Sequence, residues 1–291
     1  MTVDAESQEG VSVVIPCFNS GETIRQTVAS VHAQTWPKVE IIVVDDGSTD
    51  PITIATLDAL ASIRLVRQQN AGLPAARNAG FRAASGAYYL PLDADDWLEP
   101  DAIERLVTGL REDPSADFAC ACIQLEGEAK GTLVKSFNFF EQLFLNQIPY
   151  CLLLPRSVVD SVGGYDESMR DGYEDWEFNI RLGAQGYDAH VVPLPLLHYR
   201  VRKSGMLISK SNRLHGVLWG RIQAKHSDLY CMRRLVGLWL DWRRRPSTYP
   251  LMLYFAWIMI HRLLPNSWFS RLFTFLRMYS HSNRVNTKVG A

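Results

Sequence analysis

Apolar positions follow two rhythms that alternate along roughly the first hundred residues. Val11 to Ile15 is an apolar, largely β-branched run stopped by Pro16, the pattern of a strand buried on both faces of a parallel sheet. Ile24, Val28 and Val31 then recur at helical spacing behind Ser20, a suitable N-cap, and predict a helix with one apolar stripe. Val39 to Val44 is a second buried strand, ending in the turn-forming stretch Asp45-Asp46-Gly47-Ser48-Thr49-Asp50. The same reading gives a helix over Ile52 to Ala61, a strand over Ile63 to Arg67, a helix over Pro74 to Ala84 and a strand over Ala87 to Leu92. Pro100 to Arg111 is again helical, with Ile103, Leu106, Val107 and Leu110 on one side. Four such alternations predict an open α/β sheet whose ligand lies beyond the carboxyl ends of the strands.

The alternation is interrupted at Tyr88-Tyr89-Leu90-Pro91-Leu92-Asp93-Ala94-Asp95-Asp96-Trp97, where an apolar run ends in three carboxylates within four residues. Read as an extended segment, it places Asp93 and Asp95 on one side, where their mutual repulsion is relieved by a hard divalent cation with oxygen ligands. A solvated acidic turn closing a strand is the bland alternative, and the surrounding motifs decide against it.

Composition narrows the function classes. The 291 residues suit one large domain or a domain with an appendage, and the formal net charge of -1 argues against nucleic acid as the main partner. Five cysteines without a Cys-x-x-Cys pair suggest neither a disulfide framework nor a zinc site, and fit a reducing cytoplasm. Met1 to Gly10 is polar and acidic, unlike a signal peptide, and is expected to form a short frayed tail. The glycine loops Gly-x-Gly-x-x-Gly and Gly-x-x-x-x-Gly-Lys are absent, which disfavours hydride transfer and ATP hydrolysis. A nucleotidyltransferase would show a glycine-rich loop with a basic residue where this chain has Pro16-Cys17-Phe18-Asn19-Ser20.

Four segments now acquire a shared meaning. Val13-Val14-Ile15-Pro16-Cys17-Phe18-Asn19, Val43-Val44-Asp45-Asp46-Gly47-Ser48-Thr49-Asp50, Asn70-Ala71-Gly72 with Ala76-Arg77-Asn78, and Leu92-Asp93-Ala94-Asp95-Asp96 together resemble, in order and spacing, the nucleotide-sugar half of family 2 glycosyltransferases. The resemblance implies a GT-A fold, an open and mostly parallel sheet flanked by helices, binding a nucleoside diphosphate sugar. It implies donor contacts from Pro16, Phe18, Asp46, Asn70 and Arg77, with Asp46 rather than Asp45 facing the base or ribose. It further implies Mn²⁺ or Mg²⁺ on Asp93 and Asp95, with Asp93 also on the donor side. Tyr173-Glu174-Asp175-Trp176 resembles the family's acidic pair at a helix start, where Asp175 is the catalytic base beside Glu174. The helix dipole favours an ionised carboxylate there. His198-Tyr199-Arg200 with Ser204 resembles the closing motif near the diphosphate: His198 is expected to complete the metal site, and Arg200 to meet phosphate oxygens.

Residues 126–147 show no clear period, and Phe137, Phe139, Phe140 and Phe144 suit either core or an acceptor lid. The domain boundary is expected near residue 205, with a GT-A domain over 1–205 and a basic, aromatic-rich helical region over 206–291. In the latter, Arg213, Arg221, Lys225, Arg233, Arg234, Arg243, Arg244 and Arg245 interleave with Trp219, Trp239 and Trp242. Tyr249 to Ile260 is apolar but too short to cross a bilayer. With Trp268, Phe269, Leu272, Phe273, Phe275, Leu276 and Tyr279, and with Arg271 and Arg277 among them, this region reads either as core or as a peripheral contact with the cytoplasmic face of a membrane. The expected protein transfers a sugar from a nucleotide donor, UDP favoured, to a glycan or lipid-linked acceptor with inversion; a catalytically silent scaffold of the same fold is the rival reading.

Overall fold

A computed structural model describes residues 9–202, 214–246 and 249–272. Met1 to Gln8, Ser204, Arg213, Phe273, Phe275, Leu276, Arg277 and Tyr279, singled out above, lie outside the described residues. The chain divides into two compact units: Met1–Arg170 with Glu174–Val201, and Asp171–Tyr173 with Arg202–Ala291.

The first unit opens with β1 (Val11–Cys17), α1 (Ile24–His32), β2 (Val39–Asp45), α2 (Pro51–Asp58), β3 (Arg64–Arg67), α3 (Leu73–Ala83) and β4 (Tyr88–Pro91). It continues with β5 (Trp97–Leu98), α4 (Ala102–Glu112), β6 (Phe118–Gly127), β7 (Gly131–Leu133), α5 (Phe139–Gln142) and β8 (Leu154–Pro155). It ends with α6 (Arg156–Val162), α7 (Glu174–Ala184) and β9 (Ala189–Val201). One sheet has the order β3-β2-β1-β4-β8, with only β8 antiparallel; a second has the order β5-β9-β6-β7, built on a parallel β6–β9 pair. The fold is thus the α/β, mostly parallel arrangement that the alternating pattern predicts. Every residue of β1 is buried, because it has strands on both edges and apolar partners on both faces. The register aligns Cys17 with Asp45, and Asp45 with Arg67, so the strands end together at one carboxyl edge.

Local differences from the sequence reading have physical causes. Ser20 does not cap α1 with its hydroxyl, which donates to the Phe18 carbonyl; the helix starts after a turn, at Ile24. β4 stops at Pro91, and the Asp96 amide donates to the Asp93 carbonyl 3.1 Å away, so the carboxylates sit on a turn where strand alternation no longer applies. Glu9 is anchored: its carboxylate accepts from the Tyr88 hydroxyl at 2.7 Å and pairs with Arg111 at 3.1 Å, so any frayed tail must end before it. The four phenylalanines of 137–144 are core, each at most 3% exposed.

The second unit contains α8 (His215–Lys225), α9 (Met232–Trp242) and α10 (Leu251–Leu263). Its interior is aromatic: Trp219 stacks on Phe269 at 5.6 Å, and His215 stacks on both. His215 Nδ1 lies 2.9 Å from the Tyr173 hydroxyl. Trp257 and His261 close on Phe269 at 4.7 and 4.6 Å. No helix among the described residues is long and apolar enough to cross a membrane.

Packing of α3 against β1 depends on a missing side chain. A Cβ at Gly80 would lie 2.1 Å from Val14 Cγ1 and 3.2 Å from Val14 Cβ, in a fully buried position. Gly80→Ala should therefore destabilise the protein by about 1–3 kcal/mol, with partial recovery in Gly80→Ala/Val14→Ala. Denaturant unfolding of both variants checks this.

Candidate active site

The carboxyl edge of the first sheet gathers three loops and one helix side chain. Asp46 follows β2, the 68–72 segment follows β3, the Asp93–Asp96 turn follows β4, and Arg77 reaches in from α3. Arg77 is 1% exposed. Its Nη2 donates to Asp93 Oδ1 at 2.7 Å, and its Nη1 to Glu174 Oε1 at 2.8 Å. The rings of Tyr150 and Tyr165 lie 5.0 and 5.2 Å from its guanidinium carbon. One buried cation therefore joins the acidic turn after β4 to the first residue of α7. Burial opposes the charge on Arg77, and Asp93 and Glu174 outweigh that penalty, holding the guanidinium protonated.

The acidic residues around it behave differently from carboxylates in water. Burial pushes the Glu174 carboxyl up to about 7, with the Asp175 charge adding to the rise and Arg77 opposing it. Asp175 is also raised by burial, while Arg77, the Trp176 amide and Asn146 pull it back. Asp96 is raised well above the usual carboxylate range by burial and by the charges of Asp95 and Asp93. Burial thus favours the protonated form of all three carboxyls, and the Arg77 charge opposes it at Glu174 and Asp175.

Asp175 sits at the start of α7, where Trp176 and Ile180 face the core as their spacing predicts. Asn146 Nδ2 donates to Asp175 Oδ2 at 2.8 Å. The Asn146 oxygen accepts from Gln142 Nε2 at 2.9 Å and from Asn179 Nδ2 at 3.2 Å, and these two donors fix which way the amide points. Tyr150 supports the turn: its hydroxyl donates to Asp96 Oδ2 at 2.6 Å and accepts from the Asp93 amide at 3.1 Å. Neither Asn146 nor Tyr150 is legible in the sequence. Asn146 lies in a stretch without period, and Tyr150 opens the apolar segment Tyr150 to Leu154, which marks no polar role.

The other expected site residues take the following places. Asp46 does not turn its carboxylate outward: it is 3% exposed, and its oxygens accept from Gln68 Nε2, the Ala71 amide and the Gly72 amide at 2.7–2.8 Å. It shapes the loop after β3, which Asn70 joins by donating to the Asp46 carbonyl at 3.0 Å. Pro16 is buried within β1, whereas the Phe18 ring at its end is 48% exposed. His198 is not free to complete a metal site: its Nε2 lies 2.7 Å from Glu99, its Nδ1 lies 3.3 Å from Glu126, and its ring stacks on Trp97. Arg200 braces the acidic turn, its amide donating to Asp96 Oδ1 at 2.8 Å and its Nε to the Asp95 carbonyl at 3.0 Å. Its remaining arm meets Gln26 at 2.6 Å. Among the described residues no group of three or more His, Cys, Asp or Glu side chains is arranged to hold a metal ion.

Comparisons with known proteins place this geometry. Chondroitin synthase of Escherichia coli is 37% identical over 193 residues, covering 62% of this chain and 27% of that protein. The glycosyltransferase GlyA of Streptococcus pneumoniae is 33% identical over 142 residues, covering 47% of this chain and 20% of GlyA. The E. coli glycosyltransferase YibD is 42% identical over 110 residues, or 37% of this chain, and the match spans 32% of YibD. The chain thus spans a third or less of these relatives. The crystal structure of S. aureus TarS in complex with UDP-GlcNAc shares the fold, with a TM-score of 0.61 at 18% identity over 79% of this chain and 69% of that one. A family model matches residues 12–163, just over half of the chain, from β1 through α6 and including Arg77 and the Asp93–Asp96 turn but ending before α7; the chain belongs to glycosyl transferase family 2.

Proposed function

We propose that the protein is an inverting, metal-dependent hexosyltransferase moving a sugar from a nucleoside diphosphate donor to the hydroxyl of a glycan or lipid-linked acceptor. The carrying observation is the Arg77 bridge, which brings the acidic turn after β4 and the Glu174-Asp175 helix start to one edge of the sheet. UDP is the favoured nucleotide, a reading supported by the fold neighbour solved with UDP-GlcNAc and by the exposed Phe18 ring, a stacking surface for a flat base. A polysaccharide or glycolipid acceptor is supported by the chondroitin synthase among the relatives. The C-terminal region would attach the enzyme peripherally to the cytoplasmic face of a membrane carrying that acceptor.

Asp93 and Asp95 fit a hard divalent ion: both offer oxygen, and Arg77 aims one of them. With His198 engaged by Glu99 and Glu126, diphosphate oxygens and water would supply the remaining ligands. A bound Mn²⁺ or Mg²⁺ would neutralise charge gathering on the departing diphosphate. The residues of the chain do the rest. Asp175 accepts the proton of the acceptor hydroxyl as its oxygen bonds to the anomeric carbon. The bond from that carbon to the diphosphate breaks on the opposite face, and its electron pair leaves with the diphosphate. Asn146 holds Asp175 in place, and Arg77 keeps the turn and the helix start at a fixed separation.

The direct test presents the purified protein with a panel of nucleotide sugars and follows nucleoside diphosphate release. UDP-sugars should react fastest, and excess EDTA should abolish release; full activity in EDTA removes the metal, and a clear preference for GDP-sugars removes the assigned nucleotide. Asp93→Ala should lose donor binding and turnover together.

Asp175→Asn removes proton acceptance with little change of shape, so turnover should fall by roughly 10²-fold or more with donor affinity nearly kept. A base with a raised pKa is ionised only at higher pH, so the acid limb of kcat/KM should lie above that of an ordinary aspartate, about 3.9. Asn146→Ala removes a hydrogen bond that favours the ionised form, and should move that limb further up. An unmoved limb in the Ala variant would separate Asn146 from the base.

A further inference from the structure

The second unit leaves apolar rows facing solvent. On α10, Met252, Phe255, Ala256, Met259 and Leu263 fall at helical spacing on the side opposite Tyr254 and Ile258, which are buried. Met252, Met259 and Leu263 are 74%, 48% and 76% exposed, and Trp268 beyond them is 65% exposed. α9 repeats the arrangement, with Met232, Val236 and Leu240 outward and Leu235 and Leu238 inward. A soluble helix normally turns polar residues to water on such a face, so these rows call for a partner.

Charge identifies that partner. Residues 202–291 contain 16 of the chain's 30 Lys and Arg but only two of its 31 Asp and Glu, Asp228 and Asp241. A chain of net charge -1 is therefore acidic over its first two thirds and strongly basic over the rest. Arg233, Arg234, Arg243, Arg244, Arg262 and Arg271 are exposed on or beside the two helices. A second copy of the chain meeting the first through this face would set arginines against arginines, which disfavours self-association. An anionic lipid surface satisfies both features, taking up the apolar row and pairing the arginines with headgroup phosphates. α10 has 13 residues, so at 1.5 Å per residue it cannot cross a hydrocarbon layer of about 30 Å, and it must lie along the surface.

We propose that the outward row of α10, Met252, Met259 and Leu263, inserts among the lipids of an anionic membrane surface while the flanking arginines hold the headgroups. The proposal rests on the peripheral attachment stated above and names the face and the lipid charge that produce it. The test is cosedimentation of the full chain with vesicles of zwitterionic lipid alone or with an added anionic phosphoglycerol lipid, at low and high salt. The wild type should bind only the anionic vesicles and release in high salt. Met252→Glu/Met259→Glu/Leu263→Glu should bind them at least about tenfold more weakly, with nucleoside diphosphate release in solution unchanged because these side chains are remote from the proposed chemistry in sequence and already solvent-exposed. Equal binding by wild type and variant would overturn the α10 face while leaving attachment intact. Absence of wild-type binding at low salt would overturn both, without touching the glycosyltransferase reading. Vesicle-independent dimers of the wild type, broken by the triple substitution, would assign the face to a second copy instead and overturn the proposal.

Discussion

A guanidinium sealed from water between two tyrosine rings constrains the whole site. Arg77 is held by Asp93 on one nitrogen and by Glu174 on another, while its Nε has no hydrogen-bond partner. Burying such a cation costs several kcal/mol, and the cost is offset only if both carboxylates stay where they are; removing one partner of a buried pair typically costs about 3–5 kcal/mol. Two segments 81 positions apart, at Asp93 and Glu174, are thereby fixed relative to each other. The same pairing accounts for the electrostatics. One positive charge faces Asp93, Glu174 and the neighbouring Asp175; burial raises the Glu174 and Asp175 carboxyls, and Arg77 pulls both back.

Specific features carry this arrangement from the sequence to the site. Continuous apolar strands in parallel register bring their ends to one edge, so the loops after β1, β2, β3 and β4 gather there. Gly80 lets α3 lie close enough to β1 for Arg77, three residues earlier, to reach that edge from beneath. Asp46 and Asp96 act as internal fasteners. The first ties the loop after β3 through two backbone amides, and the second ties the acidic turn to Tyr150 and to the backbone of Arg200.

Much of this was legible because it is periodic or locally encoded. The strand and helix alternation, the inward face of α4 and the core-facing Trp176 and Ile180 follow from spacing alone. Which partners each carboxylate would take was not legible, since Asp45-Asp46 and Asp95-Asp96 offer the same side chain twice, and both Asp45 and Asp46 are buried. Asp46 finds donors in residues 68–72 and Asp96 in Tyr150 and Arg200, while the His198 ring meets the Glu99 and Glu126 carboxylates, which accept. Residues 137–147 carried no period because their contribution is a short helix packed by phenylalanines, with polar side chains turned toward α7.

The claim that Arg77 couples the acidic turn to the start of α7 is tested most directly by a double-mutant cycle in stability. Asp93→Asn and Glu174→Gln each leave the guanidinium one carboxylate; together they leave it buried without either. The account predicts that the double variant loses more stability than the two single losses combined, by about 0.5–3 kcal/mol, and that this excess disappears when Arg77 is Met. Simple additivity in the Arg77 background, measured by denaturant unfolding, would contradict it.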